Sequence, residues 1–89
     1  MPTVHFTPQL RRFTATPQVE TLAATLRAAL DDAFGANPRL RGYVLDDQGR
    51  LRPNVVVFID GERCRERSEL NQPLQRASEI HVLQALSGG

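Results

Sequence analysis

The stretch Asn54-Val55-Val56-Val57-Phe58-Ile59-Asp60-Gly61-Glu62-Arg63-Cys64-Arg65-Glu66 decides how this chain is read. From Val55 to Ile59 every residue is β-branched or aromatic, the composition that fits a pleated, buried strand. No polar residue interrupts that run, so both of its faces are expected to be covered. Asp60-Gly61 is a two-residue hairpin signal, because the favoured tight turn needs positive φ at both central positions. Residues 62–66 then return as a short strand rich in charge, which suits a sheet edge.

Outward from this hairpin, the chain can be partitioned by period. Thr3-Val4-His5-Phe6-Thr7 alternates polar and apolar and reads as a strand. Pro8-Gln9 breaks it, and residues 10–14 resume an extended pattern with Leu10 and Phe13 apolar, giving an N-terminal hairpin. Val19, Leu22, Ala23, Leu26, Ala29, Leu30, Ala33 and Phe34 recur at three- and four-residue steps, one apolar stripe on a helix. Thr16 with Pro17 fits its N-cap and first position, Glu20 suits the positive end of the helix dipole, and Gly35 sits where a left-handed C-cap belongs.

Asn37-Pro38-Arg39-Leu40 fits a short helical turn, and Tyr43-Val44-Leu45 reads as extended. Asp46-Asp47-Gln48-Gly49 is a turn cluster, with Leu51 continuing a small hairpin. Residues 68–77 form a loop from which Leu70 and Leu74 tuck inward. Residues 79–86 form a last strand, Ile80 and Val82 on one face, His81 and Leu83 on the other.

The order is strand, strand, helix, irregular segment, strand, strand, loop, strand. The apolar stripe must lie across one sheet, and the helix crossing allows the first and last strands to pair in parallel. The predicted fold is α+β, a β-grasp (ubiquitin-like) domain over residues 1–86. It has a mixed sheet of about four to five strands and one main helix packed on one face. Residues 87–89 form a flexible tail. The size of Phe58 places it beneath the helix together with Val56. That leaves Val55, Val57 and Ile59 outward beside Leu83, an aliphatic patch of the kind that docks a partner.

Composition narrows the function. Eighty-nine residues make about one domain. Eleven basic residues, all Arg, oppose ten acidic ones, so there is no strong field for phosphate backbones, and five aromatics without Trp make a poor stacking platform. No nucleic acid is expected as a partner. Nor is a membrane, since no apolar run approaches the ~18 residues of a span. The protein is expected to be cytoplasmic and a monomer when alone. Cys64 is the single cysteine, which excludes an internal disulfide and any multi-cysteine metal site. No catalytic constellation and no metal site is expected, and the chain binds no cofactor of its own. The Asp31-Asp32 and Asp46-Asp47 pairs fit a solvated helix end and a turn.

What carries chemistry is the terminus. Ser78-Glu79-Ile80-His81-Val82-Leu83-Gln84-Ala85-Leu86-Ser87-Gly88-Gly89 resembles the C-terminal signature of the ubiquitin-like sulfur carriers. These are the molybdopterin synthase small subunit and the thiamine and cysteine-synthesis sulfur carriers. The helix stripe and the 54–65 hairpin extend the likeness, and the 37–53 insertion resembles the cysteine-synthesis branch. The resemblance implies a carrier that is not itself an enzyme. An adenylating, E1-like partner would use ATP to activate the Gly89 carboxylate. A sulfur-donating enzyme would convert it to a thiocarboxylate, and a sulfur-accepting biosynthetic enzyme would consume it. Ser87 and Gly88 complete the reactive tail, where glycine allows entry to a narrow channel at any φ and ψ. Two other readings share these residues: a protein modifier forming isopeptide bonds, and a β-grasp interaction module with no terminal chemistry. Without Lys, a modifier of this sequence could not build chains on its own side chains.

Overall fold

The computed structural model describes residues 1–7 and 18–84. Alternation in β1 (Thr3–Phe6) buries Val4 and Phe6 and turns Thr3 and His5 the other way. β1 pairs antiparallel with β2 (Gln18–Glu20) and parallel with β5 (Glu79–Gln84), whose other edge takes β3 (Val55–Ile59) antiparallel. β3 turns into β4 (Glu62–Arg63), so the sheet runs β2-β1-β5-β3-β4. The helix α1 (Leu26–Ala36) packs Leu26, Ala29, Leu30, Ala33 and Phe34 into the core. The β-grasp order, the parallel central pair and the helix on one face are as the sequence predicts.

The turn after β3 follows its residue types closely. Asp60 and Gly61 take φ of 52° and 84°, both in the left-handed region. Asp60 also anchors the start of β5. Its carboxylate accepts from the Ser78 hydroxyl and the Glu79 N–H, each at 2.9 Å. The strand after it ends at Arg63, shorter than expected, although the Cys64 N–H still reaches the Val57 carbonyl at 2.8 Å.

Helix α1 begins later than its apolar stripe. Val19 belongs to β2, where it faces Val4, and Glu20 is in that strand too. Leu22 is 84% exposed. Strand and helix both send apolar residues to one core, so their side chains mimic a single continuous stripe. The observed N-cap is Thr25, whose hydroxyl accepts from the Ala28 N–H at 3.3 Å. The Leu26 and Arg27 N–H groups bond across to the Gln72 and Leu70 carbonyls. Thr16 and Pro17, expected at this helix start, lie outside the described residues, as does the strand expected at 10–14. The buried Thr21 donates its hydroxyl to the Asp32 carboxylate and accepts from the Ala23 N–H at 3.0 Å, binding the approach segment to the helix side. At the other end the helix passes through Gly35. Asn37 is the C-cap, with its backbone N–H directed to the Ala33 and Phe34 carbonyls.

The following segment forms a 3-10 turn (Pro38–Leu40), as expected, and then a short helix α2 (Arg41–Val44) where Tyr43-Val44 was expected to be extended. Helix formation here buries Leu40 and Val44 on one side, and Leu45 then bridges Leu51 as a minimal hairpin. Leu70 is fully buried, with Leu74 packed against the core beside it. The Glu66 carboxylate accepts from the Ser68, Glu69 and Leu70 N–H groups at 2.7, 2.8 and 2.6 Å, shaping the loop that delivers Leu70.

The largest correction concerns the two faces of β3. Val55 and Val57 are 0% exposed and Ile59 packs against the core, whereas Val56 and Phe58 are half-buried on the opposite face. Val55, Val57 and Ile59 therefore form no outward docking patch. Register explains the reversal. Val57 lies opposite Val82 and Ile59 opposite Ile80, and directly opposed residues share a face. Ile80 and Val82 are buried, so the odd-numbered residues of β3 go beneath the helix with them. Phe6 and Phe34 supply the large side chains there, and Phe58 is not needed.

Candidate functional site

The C-terminal segment continues from β5, the central strand of the sheet. Gln84, the last described residue, lies opposite Val55, and Leu83 lies opposite Val56. Ser87, Gly88 and Gly89 follow outside the described residues. Whatever the tail does is therefore referred to a rigid origin, a strand paired on both sides.

Beside that origin spreads the sheet face that α1 does not cover. Strand register sorts its side chains into rows. One row runs Val56–Leu83 at the C-terminal end of β5, and the next runs Phe58–His81–His5. The His5 and His81 rings stack with centroids 4.6 Å apart and planes 11° apart. His5 Nε2 lies 2.8 Å from the Glu79 carboxylate. Of the four residues expected to dock a partner, Leu83 alone belongs to this open face, and Val56 and Phe58 take the places expected for Val55 and Val57.

The histidine pair was not legible as a site in the sequence, because 75 intervening positions separate its members. The signal that could have found it was there: both occupy polar positions of alternating strands, and parallel pairing of those strands puts equivalent positions side by side.

Cys64 sits on the helix-covered side, 7% exposed. Burial, with a contribution from the negative charge of Glu66, pushes its thiol above the ordinary range. At neutral pH it is protonated, the opposite of what a nucleophilic or persulfide-forming cysteine needs. Asp46 is a turn residue: its carboxylate accepts from the Arg50 and Gln48 N–H groups at 3.0 and 2.8 Å, and these bonds hold it below the usual carboxylate range. Asp32 is engaged by Thr21. Among the described residues no group of three His, Cys, Asp or Glu side chains is placed to hold a metal ion, and no helix is long and apolar enough to cross a membrane.

Comparisons with known proteins point the same way as the tail and the fold. Residues 4–89 match the model of the ThiS family. A small archaeal modifier protein, SAMP1 from Haloferax volcanii, superposes with a TM-score of 0.84 at 25% identity, covering 99% of this chain and 98% of that one. CysO in the BexX/CysO complex of Amycolatopsis orientalis gives 0.82 at 20% identity, with all of both chains covered. CysO from Mycobacterium tuberculosis gives 0.81 at 21% identity, covering 97% of this chain and 100% of that one. No curated protein matches by sequence.

Proposed function

Because the chain belongs to the ThiS family of ubiquitin-like sulfur carriers, we propose that it carries sulfur as a thiocarboxylate on Gly89. The observation that carries this reading is the Gly88-Gly89 pair, at the end of a family match that also takes in the central strand β5.

The chemistry follows from the carboxylate. Alone it is a poor electrophile. Reaction with the α-phosphate of ATP, in an E1-like partner, gives an acyl adenylate and releases pyrophosphate. A persulfide sulfur from the donating enzyme then attacks the acyl carbon and expels AMP. Reductive cleavage of the resulting acyl disulfide by a thiol leaves the thiocarboxylate, a soft nucleophile for the accepting enzyme. The chain is a co-substrate in these steps. ATP belongs to the activating partner, and the reactions are cytoplasmic. The pathway served is synthesis of cysteine, molybdopterin, thiamine or a sulfur-containing secondary metabolite. The open sheet face, through Val56, Phe58 and Leu83, docks the activating enzyme, and the tail beside it reaches the active site.

Intact mass after incubation with the activating enzyme, ATP and a sulfur source tests this reading. Replacement of one oxygen by sulfur on the full chain is expected, with none on a chain lacking Gly88 and Gly89. Sulfur loading of the shortened chain would refute the proposal. The likeness to SAMP1 supports a second reading, a protein modifier. Covalent adducts of this chain with lysines of other proteins, in place of the sulfur gain, would select it.

A further inference from the structure

The open face is polarised. Its apolar centre is flanked on the β1–β2 side by Glu20, opposite Thr3, and at the start of the central strand by Glu79, hydrogen-bonded to His5. On the other side the β4 margin carries arginines. Arg63 lies opposite Phe58, and continuing the register one step past Cys64 sets Arg65 opposite Val56. Both are exposed, and among the described residues neither takes part in an ion pair. Arg63 and Arg65 also line a hollow of about 360 Å³ together with Cys64 and Arg67. Arg67 is held there: its Nη2 donates to the Arg52 and Val55 carbonyls at 2.5 and 2.6 Å. Two like charges on consecutive positions of one sheet face repel each other, and a third cation fixed by backbone carbonyls adds to the same field. Arginine forks match carboxylates in geometry as well as charge, and arginine is enriched where protein interfaces are strongest.

We infer that this arginine-lined margin receives carboxylate side chains of the activating enzyme, whose matching surface is an apolar patch edged with Asp or Glu. The inference rests on the docking reading above and adds the chemistry of the partner. Its position gives it a consequence. Continued past β4, the register sets Arg65 beside Val56 and Leu83, next to Gln84 from which the chain runs on to its C-terminal residues, so an acidic clamp there fixes the tail's origin against the partner. Complementary charge raises the association rate and sets orientation, while the apolar centre holds the complex.

The test measures binding to the purified adenylating enzyme of the source genome across salt concentrations. The double variant Arg63→Glu, Arg65→Glu should bind at least about tenfold more weakly and lose most of its salt dependence. Its thermal melting should match the wild type, since both side chains are exposed. Glu20→Arg, on the opposite margin, should stay within about twofold of wild type. If Phe58→Ser loses binding while the arginine variant binds normally, the acidic clamp is refuted and the docking reading stands. If neither variant changes binding, both fall. Wild-type affinity that does not weaken between about 50 and 300 mM salt also overturns the inference, whatever the variants do.

Discussion

The two faces of this sheet share the same strands and obey opposite rules. Beneath α1, Val4, Phe6, Val55, Val57, Ile80 and Val82 are buried without a polar neighbour among them, and any carboxylate placed there would be stranded. On the open face, Val56, Phe58 and Leu83 alternate with those same residues yet stand among histidines, arginines and glutamates. One step along a strand moves a side chain from a site that sustains the fold to one available for a partner. Apolar character alone does not separate the two, since β3 is apolar at every position.

Adjacent substitutions in β3 break or confirm this contrast most directly. Val57→Asp buries an unpaired carboxylate and is expected to cost several kcal/mol, enough to unfold a domain of this size. Phe58→Asp, one residue on, is expected to stay folded, with a change below about 1 kcal/mol. Urea titrations of the two variants decide the matter, and a folded Val57→Asp with an unfolded Phe58→Asp would reverse the faces.

Asp60 tests how the turn serves both faces. Asp60→Ala removes two acceptors and leaves a side chain poorly suited to positive φ, at an expected cost of about 2 kcal/mol by the same titration. Cys64→Ser, on the covered side, should cost about 1 kcal/mol and leave sulfur loading of the tail unchanged. Loss of loading with an unchanged melting curve would place Cys64 in the chemistry.

The smallest effect is confined to acid. Three backbone N–H bonds, that from Glu69 foremost, hold the Glu66 carboxyl below its ordinary range. A carboxyl depressed in the folded state stabilises above its unfolded value, and that contribution fades as pH falls through the folded value. Wild type should therefore lose urea resistance on acidification more steeply than Glu66→Gln, and parallel curves would refute the assignment.

Sequence alone determined the strands β1, β3 and β5, the Asp60-Gly61 turn, the helical stripe from Leu26 to Phe34 and the two glycines at the tail. Each is a local property: a period, a turn preference or a residue with no Cβ. Where α1 starts was decided by tertiary bonds from the 70–72 loop and by Thr21 gripping Asp32, because β2 and α1 face one core and their periods merge. The buried face of β3 was settled only by its register with β5. A strand apolar on both sides carries no internal mark of which side is covered, so the choice falls to the neighbour whose polar side chains, His81 and Glu79, cannot go beneath the helix.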